Sequence, residues 1–180
     1  MNKMMIVSLF AATLVVFVVF GLYNARQLKY IQITKSITIN NSIEEVFDMV
    51  LYLDNFPKWS PFLAQDPNQK YKVTGIDGTI GAKYHWEGNK GKDIGLQEIV
   101  SITENKSIKM ICDIQKPFVA KPIFDYSFKK TNEGILVTQN FQLESGLMDA
   151  FFMWLFSVKS KMEKTNEQGL HLLKKSLENV

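Results

Sequence analysis

Between Tyr71 and Glu144 the sequence repeatedly alternates apolar and polar residues, and short turn-forming clusters break the alternation at regular intervals. Tyr71–Gly75, Thr79–Gly88, Gly91 or Lys92 to Thr103, Ser107–Gln115, Lys121–Lys130 and Ile135–Glu144 read as strands. Asp77-Gly78, Gly88-Asn89-Lys90-Gly91, Glu104-Asn105-Lys106, Lys116-Pro117 and Asn132-Glu133-Gly134 lie between them, each short enough for an antiparallel connection. Six strands in one meander must share a sheet. A sheet with one apolar face must then be covered by something else in the chain.

The alternation also says which side chains face that cover. Ile80, Ala82, Tyr84 and Trp86 share one face; Ile108, Met110, Cys112 and Ile114 share another; so do Phe124, Tyr126 and Phe128, and Ile135, Val137, Gln139, Phe141 and Leu143. Lys83, His85, Glu87, Lys109, Asp113, Asp125, Ser127 and Lys129 fall on the opposite, solvated faces. In Leu96–Thr103 either Gln97 with Ile99 or Leu96 with Glu98 can face inward.

The cover is the end of the chain. Ala150–Val180 reads as one amphipathic helix with an inner stripe of Leu155, Val158, Met162, Asn166, Gly169 and Leu173, flanked by Leu170 and Leu177. Asp149 or Ser145 can cap its start, and Lys174 and Lys175 suit the C-terminal dipole. Glycine inside a helix costs about 1 kcal/mol relative to alanine, so Gly169 on the inner stripe predicts a close neighbour there, either the sheet or a ligand held by it.

Ahead of the meander, Tyr30–Asn40 is a β-branched strand. Ser42 and Glu45 form a capping box for a helix over Ile43–Leu53, and Asp54–Pro61, with two prolines and two aromatics, suits a second short helical turn and a loop. From Met4 or Met5 to Tyr23 the chain is almost wholly apolar; about 19 residues at 1.5 Å each span roughly 28 Å, near the thickness of a hydrocarbon core. This predicts a single-pass anchor over residues 1–25, meeting the membrane through residues 4–23, then a linker at 26–30 and a domain over 31–180. A cleaved signal peptide is the competing reading. Small residues are missing before any cut around Gly21–Arg26, and cleavage after Ala25 would put Tyr23 where a small residue belongs. Positive charge flanks both ends of the span, as Lys3 on one side and Arg26 and Lys29 on the other.

The 180 residues, 46% apolar and 22% charged, suffice for one globular domain on this stalk. A net charge of +3 with scattered basic residues gives no nucleic-acid footprint, and the lone Cys112 cannot form an internal disulfide. His85 and His171 have no acidic or cysteine neighbours at metal-ligand spacing, and no nucleophile, metal or phosphate-loop motif is present. The expectation is therefore no catalytic residue, metal or cofactor. Glu98 is the one acid whose burial would raise its pKa into a useful range. Glu87 points outward, and Cys112 reads as a small buried hydrophobe.

This order of elements, an α+β arrangement of about seven curved antiparallel strands around a long C-terminal helix with two short helices after the first strand, resembles the START-like helix-grip superfamily. Ser36-Ile37-Thr38-Ile39, the Asp54–Pro61 loop, Gly81 to Asn89 and Gly169 to Lys175 carry the resemblance, which extends from Ile31 to Glu178 and is nearest to its polyketide cyclase/dehydrase and lipid-transport (SRPBCC) group. The resemblance implies a cavity between sheet and helix that takes a hydrophobic small molecule, lipid or polyketide-like. Phe56, Trp59, Tyr84, Trp86, Met110, Phe124, Tyr126, Gln139, Phe141, Met162 and Gly169 are the residues expected to contact it. Phe118 belongs to the same aromatic set. Gln139, following Val137-Thr138, stands where related sequences tend to carry tryptophan, which would make the pocket roomier and more polar. The resemblance leaves two other functions open: a cyclase or dehydratase using Glu98, Tyr84 or Tyr126 for proton transfer, and a protein-interaction module with a filled core.

Overall fold

The structure, a computed structural model, describes residues 2–178. Helix α1 (Lys3–Ala25) leads through a 3₁₀ turn (Arg26–Leu28) into β1 (Tyr30–Ile39). Helix α2 (Ile43–Leu51), a 3₁₀ helix (Leu53–Lys58) and α3 (Pro61–Gln65) come next. The meander is β2 (Lys70–Thr74), β3 (Lys83–Gly88), β4 (Asp93–Thr103), β5 (Ser107–Lys116), β6 (Ile123–Thr131) and β7 (Gly134–Glu144), and it is followed by α4 (Leu147–Leu155) and α5 (Val158–Glu178). The strands form one seven-stranded sheet in the order β1-β7-β6-β5-β4-β3-β2, so the meander is intact and β1 closes it beside β7. This is an α+β helix-grip fold.

The chain divides into two compact units, Met1–Ile31 with Glu144–Met162, and Gln32–Leu143 with Glu163–Val180. In the second, Ile39, Val46, Val50, Tyr84, Ile99, Ile108, Met110, Val137, Leu170 and Leu173 belong to one buried cluster drawn from β1, α2, the meander and α5. Asn166, Gly169, Leu170 and Leu173 are the buried stripe of α5. The end of α5 is tied to β1 and the residues after it: the Lys174 ammonium donates to the Thr38 carbonyl at 2.9 Å, the Asn41 amide to the Leu177 carbonyl at 3.2 Å, and the Asn40 N–H to the Glu178 carboxylate at 2.6 Å. Ser42 caps α2 by accepting from the Glu45 N–H; the Asn41 side chain, rather than Glu45, takes the Ser42 N–H.

In the first unit, α1 is a 23-residue helix with only Gly21 and Ala25 buried. At 1.5 Å per residue it is roughly 34 Å long, and its composition is apolar enough to cross a membrane. The residues read as a linker are ordered: the Ser145 N–H donates to the Lys29 carbonyl at 2.9 Å and the Ser145 hydroxyl to Leu28 at 3.3 Å. The Phe17 and Phe20 rings pack on Trp154 of α4, with centroids 5.7 and 6.0 Å away.

Several sequence expectations change. The closing helix is two helices, because Ser157 takes a left-handed φ of 52°, which a right-handed helix cannot continue. Its start has Gly146 as N-cap without a side-chain bond, so neither Asp149 nor Ser145 caps it; residues 179–180 of the expected helix lie outside the described residues. The strand read from Thr79 begins at Lys83, since Gly78 (φ 76°) and Gly81 (φ 91°) keep the chain in a turn, and Ile80 is exposed instead of inward. Phe118 is exposed outside the strands, so it does not join the inner aromatics.

Candidate functional site

Cross-strand register sets the inner face of the sheet. Tyr84 of β3 lies opposite Gln97 of β4, which lies opposite Cys112 of β5; Met110 of β5 opposes Phe124 of β6, and Tyr126 and Phe124 oppose Gln139 and Phe141 of β7. A row of neutral polar groups thus crosses an otherwise apolar surface. The ambiguity in β4 resolves with Gln97 and Ile99 buried, while Glu98 lies on the outer face with its carboxylate 3.4 Å from the Lys83 ammonium. A bulge between Ile99 and Ser101 shifts the register after these positions.

Above this face the 3₁₀ helix and its C-cap supply Phe56 and Trp59. The Asp77 carboxylate holds the start of that 3₁₀ helix by accepting from the Leu53 and Asp54 N–H groups at 2.7 and 3.1 Å, and the Trp59 indole donates to the Met49 carbonyl at 3.1 Å. Tyr71, Tyr84, Phe56, Trp59, Tyr126, Phe124 and Phe141 then form an unbroken chain of ring contacts, with successive centroids 5.4, 5.1, 4.8, 6.1, 6.4 and 5.2 Å apart. Six of the seven are expected contact residues. Tyr71 was not, because its strand lies at the sheet edge and half its surface is open.

The polar groups inside are incompletely paired. Gln139 donates its amide to the Tyr126 hydroxyl at 2.8 Å, and the Cys112 thiol reaches the Gln97 carbonyl oxygen at 3.7 Å while the Gln97 amide turns to the Met110 sulfur. The Tyr84 hydroxyl, the Gln139 carbonyl oxygen and the Asn166 amide nitrogen are buried with no hydrogen-bond partner among the described residues. An unpaired buried polar atom costs about 1–3 kcal/mol, and these three lie on β3, β7 and α5. Burial raises both the Tyr84 and the Tyr126 phenol above the ordinary range and pushes the Cys112 thiol up to about 12. All three are therefore neutral at physiological pH: two phenol donors and an unreactive thiol, with no base among them.

The remaining expected residues are placed differently. Trp86 is half-buried and held by its own neighbours, its indole donating to the Asp93 carboxylate at 3.0 Å and its ring lying over Gly95. Met110 is fully buried. Met162 belongs to the first unit. Gly169 faces the Pro61 ring of α3, 3.5 Å from where a Cβ would stand, rather than the sheet or open space. His85 faces outward and meets the Thr74 hydroxyl at 2.9 Å. Among the described residues no group of three His, Cys, Asp or Glu could hold a metal.

Sequence reasoning did not anticipate a groove of about 620 Å³ bounded by Phe62, Asp66, Gln69, Lys70, Glu87 and Asn89 to Gly91. Asp66 organises it by accepting from the Asn89 and Asn68 N–H groups at 2.7 and 3.2 Å. The signal available was two adjacent turn clusters, Asp66-Pro67-Asn68 and Gly88 to Gly91, whose proximity no local pattern reveals.

A family model described as polyketide cyclase / dehydrase and lipid transport matches residues 30–178. The chain belongs to that family. Among solved structures, this polyketide cyclase / dehydrase and lipid transport chain is similar to an uncharacterized protein from Rhizobium leguminosarum at 13% identity and a TM-score of 0.64, over 84% of this chain and 96% of that one. It is also similar to the di-domain ARO/CYC StfQ from the steffimycin biosynthetic pathway, at 10% identity and TM-score 0.62, over 83% of this chain and 51% of that one. A third is the Aha1 dimer from Colwellia psychrerythraea, at 15% identity and TM-score 0.57, over 82% and 96%. At these identities the likeness is one of fold. No curated protein matches the sequence.

Proposed function

We propose that this family member is a membrane-anchored binding module that holds a hydrophobic small molecule, lipid or polyketide-like, between the inner face of its sheet and α5. The observation that carries the reading is the trio of unpartnered atoms on an aromatic interior: the Tyr84 hydroxyl and Asn166 amide can donate, and the Gln139 carbonyl oxygen can accept. A ligand with an apolar body and oxygen functions answers both. Phe56, Trp59, Phe124 and Phe141 supply apolar contact, and α1 serves as the anchor. Family membership and fold support a ligand-binding domain. The wholly neutral interior argues for an uncharged ligand, since burying a carboxylate without a cation is costly.

The test is organic extraction of the purified full chain followed by mass spectrometry, run in parallel on Gln139→Leu and Asn166→Leu. A specific oxygenated apolar molecule that is present with the natural chain and depleted in both variants is expected. Extracts that hold only bulk membrane lipid and detergent, identical in all three, would sink the reading.

The enzyme alternative loses Glu98, which is outside and paired with Lys83. It keeps only the Tyr84 and Tyr126 phenols, as neutral donors that could polarise a bound carbonyl.

A further inference from the structure

Helix α4 carries Leu147-Met148-Asp149-Ala150-Phe151-Phe152-Met153-Trp154-Leu155, with a single charged residue in its first turn, and is followed by Phe156. An amphipathic helix in water shows one apolar stripe; α4 is apolar nearly all round. One side is accounted for. Trp154 packs on Phe17 and Phe20 of α1, and Gly21 is the place where α1 lets Phe151 and Trp154 approach, because a Cβ there would meet the Trp154 ring at 2.7 Å. Ala150 and Met153 are buried in the same unit. The other side is bare: Met148 is 62% exposed and Phe156 59%, with Phe152 and Leu155 also open.

We infer that α4 is a second lipid-embedded element, taken up by the same bilayer that α1 spans. This rests on reading α1 as the anchor. Depth carries the argument. Phe17, Phe20 and Gly21 lie four to eight residues before Ala25, so Trp154 meets α1 roughly 6–12 Å in from that helix end. A helix held there, if α1 crosses a hydrocarbon core of about 30 Å, is within or against its outer layer and not in water. The free face of α4 adjoins the equally bare apolar surface of α1, whose Phe10, Val16 and Val19 are exposed. Water would have to be ordered over both; acyl chains cover both at no such cost. The charges at the shallow end agree. Exposed Arg26 and Lys29 follow α1 beside the start of α4, where Ser145 bonds the Leu28 and Lys29 carbonyls. Cations directly flanking the apolar helix suit the headgroup layer.

The test uses the full chain in vesicles of phosphatidylcholine and phosphatidylglycerol, with one cysteine added at a time and labelled with an environment-sensitive fluorophore. Cys112 is buried and does not compete for the label. Met148→Cys probes α4, Phe10→Cys the middle of α1 and Lys130→Cys the sheet. The expected result is that nitroxide lipids quench most of the emission at 148, most strongly with a shallow nitroxide, and at 10 with a deep one, while only aqueous iodide quenches at 130. A position 148 open to iodide and untouched by lipid nitroxides, with position 10 still quenched by lipid, overturns the inference and leaves the anchor standing. So does a position 148 shielded from both quenchers, which would mean that another copy of the chain covers α4. Loss of lipid quenching at both 10 and 148 removes the anchor reading itself.

Discussion

The two units treat apolar side chains in opposite ways. The sheet-bearing unit hides Trp59, Tyr84, Met110, Val137 and Leu173 and even encloses neutral polar groups at Gln97, Gln139 and Asn166. The helical unit turns Val7, Phe10, Val16, Phe20, Phe152 and Phe156 outward and buries little beyond Gly21, Ala25, Ile31, Ala150 and Met153. One is organised around its inside, the other around its outside. A core substitution should therefore be felt only where there is a core, and a steric change at the α1–α4 contact only in the helical unit.

The largest effect expected is at Trp59, which is 2% exposed, contacts Phe56 and Tyr126 edge-on and spends its indole N–H on Met49. Trp59→Ala should cost about 3–5 kcal/mol, since it opens a cavity and strands the Met49 carbonyl. Thermal melting followed by near-ultraviolet circular dichroism should show it. An unchanged midpoint would mean that the ring chain is not part of a packed core.

Alkali should strike the same unit. The Cys112 thiol is held up to about 12 by burial, from an ordinary value of 9.0, so the folded state keeps a proton that the unfolded state releases. Stability from this source is complete below pH 9 and is lost as pH rises from 9 towards 12, at up to about 1.4 kcal/mol per pH unit. The Tyr84 and Tyr126 phenols, also raised by burial from 10.0, act with the same sign above pH 10. The helical unit buries no thiol, and its Tyr23 and Tyr30 are exposed. Urea titrations at pH 8 and pH 10.5 should differ for the natural chain, and by less for Cys112→Ala. Equal losses in both would assign the alkaline transition to other groups.

What the sequence revealed follows the same division. Period-two alternation is a local signal tied to burial, so the inward sets from Ala82 to Leu143 could be read directly, and Gln139 stood out as a polar residue among them. Tyr84 and Asn166 were placed on inner surfaces, but that their polar atoms lack partners depends on distances between β3, β7 and α5 that spacing does not encode. The break at Ser157 carries no proline or glycine, so the pattern ran across it. The available cue was the shift from an all-round apolar run, Ala150–Phe156, to the amphipathic Val158–Glu178. That run has its partner in α1, more than a hundred residues away in the chain.

Two helical glycines sharpen the comparison further, and their effects are the smallest and of opposite sign. Gly21 of α1 has the Phe151 and Trp154 rings where a Cβ would go. Gly21→Val should therefore push α4 away at a cost of about 1–3 kcal/mol to that contact, read as a shift of Trp154 emission, with the melting midpoint of the sheet unit unmoved. Gly169 of α5 has only the Pro61 ring, at an ordinary 3.5 Å, so a methyl fits without displacing anything. Gly169→Ala should then recover helix propensity and stabilise the sheet-bearing unit by up to about 1 kcal/mol. Measured destabilisation there would mean that the space beside Pro61 is used by something larger than a methyl group, and would favour Gly169 as a ligand contact.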